Sequence, residues 1–222
     1  MRTGRPVLMI AILAAAGCSR EGDAPTAYGA RETYGYLQKV GRIRSMINTD
    51  NRDRIPAMIR GRDSEMLGRQ GARLEEYKRS LAALESPGVD PEALKFTQSL
   101  EAIIDSYRAV CLDSAELSRE MKESGARPSA PAVAVPVISL GTEAYQGDTI
   151  GTLNSLLDSM ERIDAAPKSA SVFLQPIVNK VRDDRERLRS AKAAHHAFTT
   201  KLKGELKLRY PDKDWTSKEI LP

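Results

Sequence analysis

Ser86-Pro87-Gly88-Val89-Asp90-Pro91 separates two long apolar-periodic segments and decides the reading of the fold. Proline and glycine close one helix, Asp90 is suited to cap the next, and Pro91 falls where the first helical turn favours proline. A link this short between long helices implies an antiparallel hairpin. Upstream of it, Leu67, Leu74, Tyr77, Leu81 and Leu84 mark the apolar face of a helix expected to start at Pro56. Gly61, Gly68 and Gly71 weaken its first half by about 1 kcal/mol each relative to alanine. Downstream, Leu100, Ile103, Ile104, Tyr107, Val110, Cys111, Ser114, Leu117 and Met121 recur at three- and four-residue spacing. Cys111 lies on that stripe between Val110 and Leu112, so a buried, unreactive thiol is expected.

Further out, Tyr36, Val40, Ile43 and Ile47 define a first helix beginning near Tyr28, which the turn-prone run Asn48–Asp53 is expected to interrupt. Residues 125–137 read GARPSAPAVAVPV, and their prolines exclude a helix interior. Ile150, Leu153, Leu156, Leu157, Met160 and Ile163 give a fourth helix, and Ala165–Lys168 turn the chain. A last helix, roughly 170–209, carries Val178, Val181, Leu188, Phe198, Leu202 and Leu206 before Pro211 stops it. The expected fold is all-α: an antiparallel helical bundle of about four to five helices with a proline-rich linker or crossover. Its parts are an N-terminal helical segment with a hairpin (27–124), a Pro/Ala-rich linker (125–139), a C-terminal helical hairpin (140–210) and a polar tail (211–222). Aromatic residues make up only 5% of the 222, which disfavours a sheet sandwich.

The first eighteen residues, MRTGRPVLMIAILAAAGC, have another character. Arg2 and Arg5 precede an apolar run from Val7 to Ala16, too short to span a hydrocarbon core of ~30 Å. Small residues and then Cys18 follow it, the order of a secretory signal. The stretch Leu13-Ala14-Ala15-Ala16-Gly17-Cys18 resembles the lipobox of bacterial lipoproteins, with Ala15 where that family most often has leucine. The resemblance implies that residues 1–17 are removed as a signal peptide, that Cys18 is lipidated, and that 18–26 form a tether. Three acyl chains would make the anchor effectively permanent. Ser19 rather than aspartate after the cysteine implies the outer membrane in preference to the inner one, with the chain facing the periplasm.

Removing residues 1–17 takes away Arg2 and Arg5 and lowers the formal charge from +4 to +2. Such a balance gives no reason to expect a nucleic-acid partner. His195 and His196 are the only histidines; on a helix, neighbours point about 100° apart, so a shared metal is not expected and both are assigned to the surface or its flank. No zinc, haem, P-loop, dinucleotide or serine-hydrolase motif occurs, and neither cofactor nor catalysis is expected. Residues 180–209 carry ten basic side chains against four acidic ones. Arg182, Arg185, Arg189 and Lys192 are therefore the candidate contact for an anionic surface, unless acidic residues of a neighbouring helix balance them. The function expected is a non-enzymatic interaction or structural adaptor module, held to the membrane by its lipid and meeting another envelope protein. The alternative is a periplasm-facing binding module for a small ligand, anionic lipid or envelope polymer, with an exclusion or immunity lipoprotein as a special case of the adaptor. Neither reading fixes an oligomeric state.

Overall fold

A computed structural model of the chain describes residues 28–125, 148–163 and 168–215, apart from the side chains of 161–173. Helix α1 (Ala30–Thr49) runs through a five-residue π turn (Asp50–Arg54) into α2 (Ile55–Gly61). Helices α3 (Ser64–Ala82), α4 (Pro91–Glu123), α5 (Thr149–Ile163) and α6 (Lys168–Arg209) follow. Among the described residues there is no strand, and the fold is the expected all-α helical bundle. The signal peptide, Cys18, the tether, nearly all of the Pro/Ala-rich linker and the last seven residues lie outside the described residues.

The hairpin at 86–91 is built as its residues require. Gly88 takes φ +70°, a left-handed conformation that a side chain would oppose. Asp90 caps α4 through Oδ1, which accepts the Glu92 amide at 2.9 Å, and Pro91 is the first helical residue. The start of α1 is fastened to this turn. The Gly29 amide donates to the Gly88 carbonyl at 3.0 Å, and the Asp90 amide donates to Thr33 Oγ1 at 3.0 Å. Tyr36 and Thr97 meet at 2.8 Å further along, so α1 runs parallel to α4. Helix α6 runs antiparallel to α4, as the contacts of Lys180 with Glu116 and of Arg209 with Asp90 require.

Helix α4 is the central element, with Phe96, Leu100, Ile104, Val110 and Leu117 at most 1% exposed. It packs against α3 on one side and α6 on the other, while α5 leans on α6 and α2. A single apolar cluster runs from Tyr36 to Trp215, so helices from both sides of the 125–139 linker share one core. Fully burying each leucine of that core contributes ~1.5–3 kcal/mol. Cys111 is wholly buried on α4, as its place on the stripe implies.

Three local expectations are corrected. Asn48–Asp53 does not interrupt the first helix; the backbone passes through it with π bonding. Turn-prone side chains usually compete for their own backbone, but here the side chains of Asp50 and Asn51 find partners on other helices, Gln70 and the Thr149 amide. The break comes at Arg62, with φ 53°, after which Asp63 caps α3 by accepting the Met66 amide at 2.9 Å. The single helix expected from Pro56 to Leu84 is therefore two. Finally, the tail after Pro211 is not merely polar: Trp215 is 1% exposed. Its Nε1 donates to the Tyr210 carbonyl at 2.9 Å, and its ring lies 5.6 Å from that of Tyr34. Pro211 ends the helix, and the next turn folds the indole back beneath α1.

Candidate functional site

The four basic residues singled out on α6 follow one another at intervals of three and four, which gathers them on one stripe. Their charges are engaged within the chain. Arg185 donates to Asn154 on α5 at 3.0 Å and pairs with Glu186 at 2.8 Å. Arg189 pairs with the same Glu186 at 3.2 Å, and Arg182 donates to Asn179 at 2.8 Å. Lys192 reaches Asp148 at 3.0 Å; Asp148 in turn accepts the Gly151 amide and caps the start of α5. Two of the four thus tie α6 to α5, and surface pairs of this kind contribute ~0–1 kcal/mol each.

A more enclosed polar cluster surrounds Asp50 in the π turn, and nothing in the spacing of the sequence announces it. The carboxylate is 1% exposed. Its Oδ2 accepts from Gln70 Nε2 at 2.7 Å and from the Tyr77 hydroxyl at 3.1 Å, while Oδ1 accepts from Arg54 at 3.1 Å. Arg73 donates to the Tyr77 oxygen and lies 5.4 Å above its ring, which extends the chain of donors to the surface. The π turn makes this possible by adding a residue to the helical register and swinging Asp50 and Asn51 towards the interior. Asn51 receives the start of α5, its carbonyl accepting the Thr149 hydroxyl at 3.1 Å. Burial, and then the charge of Asp50, push the Cys111 thiol up to about 12, so it stays protonated and is a poor nucleophile.

Two titratable groups sit in the seam between α4 and α6. Asp184 is 2% exposed and faces Asp113, and its Oδ2 has no donor. Burial, then the hydrogen bond and charge of Asp113, raise Asp184 to about 7, so Asp184 keeps its proton up to near neutrality. Arg187 stands 3.5 Å from the other oxygen.

His195 is the second, and its assignment to the surface is corrected. It is 4% exposed, while the adjacent His196 faces solvent. His195 Nδ1 lies 2.7 Å from Ser99 Oγ, and the imidazole centre is 4.9 Å from that of Phe96. Ser99 Oγ also lies 2.7 Å from the Phe96 carbonyl, so its single proton serves one of these two contacts and the imidazole tautomer follows that choice. Nε2 is buried and without a partner. Burial first, then the positive charges of Arg44 and His196, draw His195 down to about 4. Arg44 on α1 also has a buried Nη1 without a partner, and desolvation brings its guanidinium down to about 10. A signal was present in the sequence: Leu188, His195 and Leu202 are spaced by seven, the repeat of a buried seam.

At the end of the bundle far from Asp90, an open polar groove lies between the α2–α3 turn and the last turns of α4. Arg62, Asp63, Glu65, Ser118 and Lys122 line it. Among the described residues no three His, Cys, Asp or Glu side chains gather closely enough to hold a metal, and no helix is long and apolar enough to cross a membrane. Comparison with protein-family models, curated proteins and solved structures finds no match to this chain.

Proposed function

We propose that this chain is a lipid-anchored, non-enzymatic adaptor of the bacterial cell envelope, attached through Cys18 to the outer membrane and holding another envelope protein on the periplasmic side. The observation that carries the reading is the lipobox-like run Leu13–Cys18 behind a charged, ten-residue apolar stretch. The fold supports it. Residues 19–29 separate the cysteine from α1, and eleven residues reach at most ~40 Å. The start of α1 is bound to the start of α4 and lies beside the end of α6, so this pole is the one nearest the bilayer. Helix α4 then extends 33 residues, about 50 Å, towards the groove at the opposite pole. A rod of that kind is suited to presenting its far end to a partner. The intrachain pairing of Arg185, Arg189 and Lys192 favours this adaptor over a module whose basic stripe meets anionic lipid.

Metabolic labelling with a fatty-acid probe tests the anchor: the parent chain takes label and Cys18→Ala does not. Label on both, or on neither, would sink the lipoprotein reading. A photo-crosslinking residue at Lys122 tests the adaptor in native membranes. It should yield one discrete protein adduct that the same probe at Lys207, near the tethered pole, does not.

A further inference from the structure

We propose that the pole of the bundle where α1 begins and α6 ends is a contact surface for anionic phospholipid, with Leu208 entering the apolar edge of the bilayer and Lys203 and Lys207 meeting its phosphates. The inference rests on the anchor at Cys18 and deepens it, by stating which face the anchored chain lays against its membrane. Leu208 is 85% exposed, against 43% for the next most open large apolar side chain, Leu112. A lone exposed leucine is ordinary on a protein surface, but this one ends an uncovered helix face. Ala197, Lys201, Gly204 and Leu208 follow one another on α6 at spacings of four, three and four, and all are exposed. A Cβ added at Gly204 would meet nothing within 4 Å, so the face is bare there.

Connectivity and charge select the occupant. The Tyr210 hydroxyl, two residues beyond Leu208, donates to the Tyr28 carbonyl at 3.4 Å. Leu208 is thereby placed beside the point from which residues 19–29 lead back to Cys18. Tyr28 is itself exposed there, and tyrosine favours the headgroup level of a bilayer. Residues 201–213 carry five basic side chains against two acidic ones. Glu205 is engaged by Lys201 and Arg209, each at 3.5 Å, and Arg209 also pairs with Asp90. Lys203 and Lys207 have no acidic partner among the described residues. An apolar side chain flanked by unpaired lysines, close to an acylated cysteine, is complementary to phosphate over hydrocarbon. A second copy of the same face would set lysine against lysine. The stripe from Arg182 to Lys192 lies further from this pole, and its charges are engaged within the chain.

The test places an environment-sensitive fluorophore on Leu208→Cys, Leu112→Cys or Lys122→Cys in the chain as purified from membranes, reconstituted into vesicles. Phosphatidylcholine containing phosphatidylglycerol is compared with phosphatidylcholine alone. In the anionic vesicles the label at 208 should shift to the blue and lose its quenching by aqueous acrylamide, while the labels at 112 and 122 stay quenchable. Protection at 208 should be largely lost in phosphatidylcholine, at high salt, and in the Lys203→Glu, Lys207→Glu double variant. Flotation of the same vesicles separates this contact from the anchor on which it rests. A chain that does not float has no anchor, and the lipoprotein reading and this contact fall together. A chain that floats with 208 as quenchable as 122, with 112 as protected as 208, or with 208 equally protected in both lipids overturns the contact and leaves the anchor standing.

Discussion

Arg209, the last residue of α6, places Nη1 2.6 Å from Oδ2 of Asp90, the residue that caps α4 some 119 positions earlier. One carboxylate thereby serves two helix ends at the same pole, since its other oxygen holds the Glu92 amide, while Tyr210 also reaches Oδ2. Asp90 is 1% exposed, so its partners matter more than a surface pair would. Asp90→Asn preserves the cap and should cost about 1 kcal/mol; Asp90→Ala loses the cap and strands both donors, at about 2–4 kcal/mol. Urea unfolding of the two variants checks the order. Equal losses would show that the cap contributes little.

The Asp50 cluster leads to a different expectation. Removing a buried acceptor of several donors costs more than removing any one donor, because the remaining groups are left unsatisfied. Asp50→Ala should therefore destabilise the bundle by about 3–5 kcal/mol, and Gln70→Ala by about 1–2 kcal/mol. In the native chain Cys111 should resist an aqueous thiol reagent, then react stoichiometrically in denaturant. Fast labelling of the native protein would contradict the burial of this thiol.

What was legible in the sequence was local. Asp90 and Pro91 sit at a helix start whatever surrounds them, and a stripe such as Leu100–Ile104–Tyr107–Val110 has an apolar face before any partner is known. The π turn was not legible, because Asn48–Asp53 reads as a turn until Gln70, Tyr77 and the Thr149 amide arrive to bind its side chains. The same holds for the seam groups. Asp184 sits among charged neighbours and looks like surface, and only α4 turns it into a buried carboxyl facing another. His195 is the intermediate case, its heptad position pointing inward while its chemistry points to water.

Trp215 is the only tryptophan and reports on one pole of the bundle. Buried against Tyr34 and Tyr210, it should emit at short wavelength in the native state and shift to the red when the tail detaches. Trp215→Ala should cost about 3–5 kcal/mol, the usual penalty for a large aromatic in a packed site. A red-shifted native spectrum would mean that the tail does not dock.

Asp184 and His195 impose opposite pH dependences on stability. Asp184 is raised from 3.8 to about 7, so between those values the folded chain keeps a proton that the unfolded chain has lost. Its contribution therefore falls as pH rises, by at most about 1.4 kcal/mol per unit. His195 is lowered from 6.5 to about 4, so over that interval the unfolded chain holds the extra proton and stability rises with pH. The two slopes offset each other between about pH 4 and 6.5 in the parent chain. Asp184→Asn should unmask the rise, and His195→Gln should unmask the fall. Only the Asp184 slope should persist from about 6.5 to 7. Denaturant midpoints of the three proteins across pH 4–8 measure this directly, and parallel curves would mean that neither group titrates as its burial requires.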